Sequence, residues 1–260
     1  MFLFLPMVTA LKKPERKLDT SVVPMHYVLS LDLDSAKDLY TGKVEIDLDV
    51  AMDADEFSLN SDGLTIDGVY FNGKRAKHVL AGDSLIISDF RQENENRLSI
   101  IFNGQVTTKM EGFYSSEYGT DQKMYSTHFE PSHARKAFPC FDHPATKATF
   151  DIKITADKDL TILSNMSAKD EVIKGTRKTV TFNRMKRTST YLIAFVAGDL
   201  QKITKGHVSV YSTYDVDQGM YALHVADQVL QFFEEYFGIE YPLDMVAVSE
   251  FSMGAMKNWE

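Results

Sequence analysis

Cysteine is nearly absent: Cys140 is the single one in 260 residues, so no internal disulfide can form. Nothing then ties the fold to an oxidising compartment, and a cytoplasmic setting is the expectation. Long hydrophobic runs are missing too, with nothing near the ~18 apolar residues of a membrane span. Positive charge is in deficit: 28 Lys and Arg stand against 37 Asp and Glu, a net charge of −9. That balance excludes nucleic acid and anionic membrane as natural partners, since both select basic patches. None of the seven histidines is followed by Glu. The helix-borne His-Glu-x-x-His pair that holds zinc beside a general base is therefore lacking, and no catalytic residue or metal ligand is assigned.

The N-terminus from Met1 to Ala10 is apolar, yet it has no basic start and Pro6 interrupts it. It makes a poor signal peptide. Asn165-Met166-Ser167 is a formal glycosylation sequon, which matters only in a secreted chain.

What is present is alternation. From about residue 22 to 104, runs such as Tyr27-Val28-Leu29-Ser30-Leu31-Asp32-Leu33 and Val44-Glu45-Ile46-Asp47-Leu48-Asp49-Val50 repeat with period two. That is the pattern of half-buried antiparallel strands. Asp62-Gly63, Asp67-Gly68, Asn72-Gly73, Gly82-Asp83 and Asn103-Gly104 are read as the turns between them. Further strands are expected at Thr149–Ile154, Leu160–Ser164, Thr179–Phe182 and Tyr191–Val196, giving a curved β sandwich to about residue 204. The charged stretch from Lys169 to Lys178 reads as a solvated hairpin tip, and Arg184, Lys186 and Arg187 as part of a solvated loop.

After Gly206 the grammar changes. Ala222, Ala226, Val229, Phe233 and Phe237 recur at three- and four-residue spacing and predict a helix over 217–237 with that face buried. Asp217 is its expected N-cap and Gly238 its left-handed C-terminal residue. Strands Val208–Tyr211 and Met245–Val248 flank it. The aromatics Phe232, Phe233, Tyr236 and Phe237 are read as core.

The segment Thr127-His128-Phe129-Glu130-Pro131-Ser132-His133-Ala134-Arg135-Lys136-Ala137-Phe138-Pro139-Cys140-Phe141-Asp142-His143-Pro144-Ala145 resembles a signature of the zinc aminopeptidases of the membrane-alanyl, puromycin-sensitive and leukotriene-hydrolase type. Collinear motifs support the resemblance. They are Pro24-x-His26-Tyr27, Glu111-Gly112-Phe113-Tyr114-Ser115, Ser189-Thr190-Tyr191-Leu192, Ala197-Gly198-Asp199, and Tyr236-Phe237-Gly238 through Tyr241-Pro242-Leu243. The terminal Gly254-Ala255-Met256-Lys257-Asn258 is similar to the family's Gly-Ala-Met-Glu-Asn substrate loop. The resemblance implies a mainly β fold, a β saddle or sandwich over 18–204 after an irregular segment 1–17. It also implies the truncated start of an α/β thermolysin-like catalytic domain over 205–260.

It implies substrate-binding roles as well, at Glu130, His128, Gly254, Ala255, Met256, Lys257 and Asn258. An exopeptidase holds the substrate's α-ammonium with carboxylates, and the small Gly254-Ala255 pair lets backbone approach a peptide closely. Two alternatives stand for Glu130: it lines a substrate-facing pocket, or it only balances Arg135 or Lys136. His128, His133, Cys140 and His143 gather nitrogen and sulfur donors, but their family counterparts bind no metal, and zinc is a cofactor of the family rather than of this chain.

Departures from the family weigh against activity. Lys257 replaces a Glu, and two unit charges ~4 Å apart interact by about 4 kcal/mol at an effective dielectric of ~20, so the reversal disfavours a substrate amine. His128 stands for a substrate-contacting Gln, His143 for an acidic residue and Glu260 for a Gly, while Tyr241-Pro242-Leu243-Asp244 lacks a few residues between Leu and Asp. The expectation is an N-terminal portion of a peptidase acting on peptide N-termini, inactive by itself. The alternative is a binding module that captures peptides or docks on a related enzyme. The helix face deprived of family partners also predicts self-association or pairing with a complementing chain.

Overall fold

Alternating residues become strands wherever one face can be buried, and here that happens repeatedly. The computed structural model describes residues 21–248 except 53, 121 and 244. Among the described residues the largest sheet has nine strands. Across it run Ala168–Lys174, Arg177–Phe182, Ala148–Asp157, Val22–Asp34, Leu39–Val50, Asn96–Gln105, Thr65–Phe71 and Lys74–Arg75, with Met185–Thr188 also paired to Ala148–Asp157. Val22–Asp34 and Ala148–Asp157 lie parallel, with His26 opposite Thr149, and the other pairs in this sheet are antiparallel. A four-stranded sheet orders Thr161–Ser164, Phe195–Gly198, Gln122–His128 and Gly112–Tyr118, and a three-stranded one orders Glu56–Asn60, Ser84–Ser88 and Lys77–Ala81. One apolar cluster draws on all three sheets, including Leu29, Ile46, Phe102, Phe150, Leu85, Phe57, Phe113 and Phe195. The mainly β architecture read from the alternation is the one observed.

Two expected turns are corrected. Asn103-Gly104 lies inside the strand Asn96–Gln105, because a Cβ on Gly104 would fall 2.2 Å from the ring of Tyr40. The glycine is there to seat that buried ring. Asp67-Gly68 is a register shift within Thr65–Phe71 rather than a reversal. Asn72-Gly73 is a true hairpin turn, with positive φ at both residues as its two-residue type demands. Residues 169–176 of the charged hairpin are exposed, as the charge pattern suggests, but Arg177 and Lys178 are half-buried, with Arg177 held by Asp32 and Asp157. Arg184 to Arg187 is not a plain solvated loop: Met185–Thr188 is a strand, and Arg184 is paired to Asp151 at 2.6 Å.

A second, smaller unit follows. Gln201–Lys205, Val208–Ser212 and Met245–Val248 form a three-stranded sheet, and the helix Met220–Phe237 packs on it. Gly238 ends the helix at φ 64°, as expected. The start differs: Asp215, not Asp217, provides the capping carboxylate, and a short 3-10 turn over Val216–Gly219 precedes the α-helix. The buried face differs too. Leu223, Asp227 and Leu230 face the sheet, whereas Val229, Phe233 and Phe237 of the expected stripe are exposed. Two leucines seven positions apart, with Ala226 beside them, fit against Val208, Val210 and Ile203. The Asp227 carboxylate fixes the same face through Lys205 at 2.8 Å. Phe232, Phe233, Tyr236 and Phe237, read as core, stack on one another in the open instead.

Candidate functional site

Strand Gln122–His128 runs between Gly112–Tyr118 and Phe195–Gly198, and the signature segment leaves from its end. Phe129 is buried edge-on against Phe138 and Phe195, so the next residue, Glu130, is turned outward and exposed. A single 3-10 turn over Ala134–Lys136 follows, with Ala134, Ala137, Phe138 and Cys140 fully buried beneath it. Cys140 then pairs its backbone with Asn60, N to O at 3.0 Å and O to N at 2.7 Å. Burial raises the Cys140 thiol well above its ordinary pKa, which removes it as a nucleophile or thiolate ligand.

Asp142 is the centre of the segment. Its side chain is 1% exposed and takes Arg135 Nε at 3.0 Å, while Thr190 Oγ1 donates to its other oxygen at 2.8 Å. Its own backbone N–H donates to Asn60 Oδ1 at 3.1 Å. Arg135 also reaches Asp83 at 2.5 Å and the Asp142 carbonyl at 3.1 Å. Burial opposes the guanidinium charge, but the two carboxylates outweigh it and its pKa is raised. Lys136 is engaged by Glu111 at 2.5 Å, and that hydrogen bond holds the Glu111 carboxyl below its ordinary value.

The structure brings the separate sequence motifs together around this segment. Gly112 sits in register with His128. The Tyr27 hydroxyl accepts from Phe141 N at 3.2 Å while its ring stacks on Phe150 at 4.6 Å. Ser189 donates to the Pro144 carbonyl at 2.6 Å, and Ala197 pairs with Tyr125. Tyr241, Pro242 and Leu243 instead line a cavity of about 220 Å³ with Asn165, Met166, Ser167 and His207. Asn165, the sequon residue, donates its amide to the Leu192 carbonyl and accepts from Ala194 N, both at 2.8 Å. Its side chain belongs to the fold.

Glu130 and His128 therefore lie two residues apart at the end of an inner strand, His128 half-buried and Glu130 exposed. With Arg135 held by Asp142 and Asp83 and Lys136 by Glu111, Glu130 makes no ion pair among the described residues. Gly254, Ala255, Met256, Lys257 and Asn258 lie outside the described residues. No group of three or more His, Cys, Asp or Glu side chains is placed to hold a metal among the described residues. His143 is exposed, and its side chain accepts from Ala145 N at 3.1 Å. The sequence reading missed Asn60, and named Thr190 and Asp142 only within motifs, with no role of their own. The available signal was a basic residue followed seven positions later by an acid inside an otherwise apolar segment.

Comparison with known proteins gives the family. Residues 23–192 match the Peptidase M1 N-terminal domain, and residues 221–260 match the Peptidase family M1 domain. The chain is 37% identical over 268 residues to alanine/arginine aminopeptidase of Saccharomyces cerevisiae, covering 93% of this chain and 31% of that one. It is 37% identical over 273 residues to aminopeptidase M1 of Arabidopsis thaliana, covering 95% and 31%. To aminopeptidase N of Acetobacter pasteurianus it is 33% identical over 273 residues, covering 97% and 76%. The chain thus spans about 31% of the length of the yeast and plant relatives. With its signature folded around Asp142 and both matched domains in order, the chain belongs to the M1 family of zinc aminopeptidases.

Proposed function

We propose that this chain is the N-terminal portion of a zinc metallo-aminopeptidase, contributing to the recognition of peptide N-termini, and that its 260 residues alone turn over no substrate. The observation that carries the recognition role is Glu130: an exposed carboxylate just past the end of an inner strand, with the neighbouring cations engaged elsewhere. A carboxylate in that state is suited to receive an α-ammonium. His128 and the loop residues Gly254, Ala255, Met256, Lys257 and Asn258 are proposed to complete the peptide-binding edge, with Lys257 weakening its hold on the amine. We further propose that 18–204 and 205–260 are separate units, the second beginning the catalytic domain. The two separate apolar clusters support this, with the seam nearer residue 200, because Gln201–Lys205 belongs to the second unit's sheet and Ile203 packs in its cluster. The buried, unreactive Cys140 suits a cytoplasmic setting.

The residues present do not fit zinc. None of the seven histidines is followed by Glu, and no cluster among the described residues offers three ligands. No step through the metal is derived. Incubating the purified chain with aminoacyl fluorogenic substrates and added zinc is expected to give no release above background; chelator-sensitive release at enzyme-like rates would refute the inactive reading. A second reading, a module that captures peptides without cutting them, is favoured by the intact scaffold under Glu130. Titration with a free-amine peptide and its N-acetylated twin tests amine recognition in this chain, which requires the free amine and is lost in Glu130→Gln.

A further inference from the structure

Tyr40 is buried in the large sheet, yet its hydroxyl reaches the signature segment. It donates to the Ala137 carbonyl at 3.0 Å and shares that proton with the Lys136 carbonyl at 3.2 Å. These carbonyls end the 3-10 turn Ala134–Lys136, and the last carbonyls of such a turn have no partner within it. The fold leaves the ring one place to be. Its backbone is paired on both sides, with Leu33 and with Gly104, and the absent side chain of Gly104 makes room for it. Phe102 and Phe113 meet it edge-on, with ring centres 6.5 and 5.1 Å away.

This one side chain touches both approaches to Glu130. Phe113 is in register with Thr127, on the strand that leads to the carboxylate, and the capped turn is where the chain leaves it. Between them, His133 N donates to the Phe129 carbonyl at 2.7 Å and Ala137 N to the Ala134 carbonyl at 2.9 Å, so the segment is one continuous set of turns. Phe129, wedged against Phe138 and Phe195, fixes where the segment begins. Tyr40 fixes where it ends. We propose that Tyr40 is a positioning residue for Glu130: its hydroxyl caps the turn from inside the sheet and holds the carboxylate at one angle to an incoming α-ammonium. This inference rests on the reading of Glu130 as the group that recognises the amine. A charge-assisted hydrogen bond depends on direction, so a carboxylate on a loosened turn discriminates less well between a free amine and a blocked one. The contact is interior and does not depend on what covers the surface of the domain.

The test uses Tyr40→Phe in the full 260-residue chain, which keeps the ring packing and removes only the donor to the two buried carbonyls. Tyr125→Phe is the matched control. Tyr125 is as deeply buried and packs on the same Phe113 at 6.4 Å, but its hydroxyl donates to the Ser35 carbonyl at 2.9 Å and to Asp38 at 3.0 Å, and Lys123 still holds Asp38 without it. In Tyr40→Phe, amide hydrogen exchange at His133 and Ala137 is expected to speed up about 10-fold, with the strand Leu39–Val50 unchanged and neither effect in Tyr125→Phe. The ratio of affinities for a free-amine peptide and its N-acetylated twin is expected to fall about 10-fold in Tyr40→Phe and to stay within about 2-fold in Tyr125→Phe. The proposal is overturned by unchanged exchange at His133 and Ala137 in Tyr40→Phe, by equal losses in the two variants, or by a preference for the free amine that survives Tyr40→Phe. An unmodified chain that binds the twins alike overturns the recognition reading of Glu130 instead, and the exchange comparison then decides whether Tyr40 holds the turn.

Discussion

The region up to residue 200 and the helix-bearing unit after it solve the same problem to different degrees. In the first, three sheets share one apolar cluster, and side chains such as Leu29, Val44, Ile46, Phe102 and Phe150 are wholly buried. In the second, the buried cluster is Val208, Val210, Leu223 and Leu230, while the helix leaves more large apolar residues exposed than it buries. Stability therefore resides in the sheets, and the helix unit opens at lower free energy. The sharpest way to break this contrast is to truncate one core residue in each. Phe150→Ala removes a ring stacked on Tyr27 at 4.6 Å and is expected to cost about 3–5 kcal/mol in urea unfolding of the whole β region. Leu230→Ala is expected to cost about 2 kcal/mol, lost from hydrogen-exchange protection of the helix alone. An equal shift of the main transition by both variants would make the two units one.

The contrast repeats at smaller scale inside the signature segment, between neighbours 142 and 143. Asp142→Asn leaves Arg135 partly buried with one fewer carboxylate and breaks a pair whose acid is 1% exposed, which is expected to cost about 3 kcal/mol. His143→Glu alters an exposed residue and is expected to move stability by less than about 0.5 kcal/mol. Denaturant midpoints of the two variants check this. Comparable losses would show that His143 supports the fold as much as Asp142 does.

These neighbours also show what was legible in the sequence. Period-two alternation located most strands because burial on one face leaves a direct imprint on residue order, as in Val44 to Val50. Glycines were read with less success, since Gly104 serves a ring from another strand and Gly73 serves its own turn, and composition does not separate the two. The helix was located but its buried face was not. When apolar residues cover more than one face, periodicity cannot tell which meets the sheet, and the choice fell to Leu223, Leu230 and the Lys205–Asp227 pair. The signature was legible as a motif, but its internal support from Asn60 and Thr190 arrives through long-range pairing. Whether Glu130 lines a pocket or balances Arg135 or Lys136 was left open in the sequence, because those cations stand near in sequence and only the fold shows them engaged elsewhere.

The smallest expected effect compares one carboxylate from each region under acid. Asp151, in the large sheet, is held below its ordinary pKa first by Arg184, with burial opposing and His26 assisting. Asp227, on the helix, is held below it first by Lys205, again against burial, with Gln231 and His224 adding to the effect. A depressed carboxylate stabilises the fold fully above its unfolded pKa of about 3.9, and that contribution is lost as pH falls through the lower folded value. Both regions lose support on the acid side, but the sheet around Asp151 has a large core behind it and the helix does not. Helix amides are therefore expected to lose exchange protection below about pH 4, before those of Val22–Asp34. Lys205→Met is expected to return the Asp227 titration, followed by carboxyl NMR, toward the ordinary range and to flatten that acid dependence, with Arg184→Met doing the same at Asp151 alone. The effect is modest because Lys205 is half exposed and water screens its charge. An unchanged Asp227 titration in Lys205→Met would mean that the pair does not hold the helix to its sheet, and that Leu223 and Leu230 do so alone.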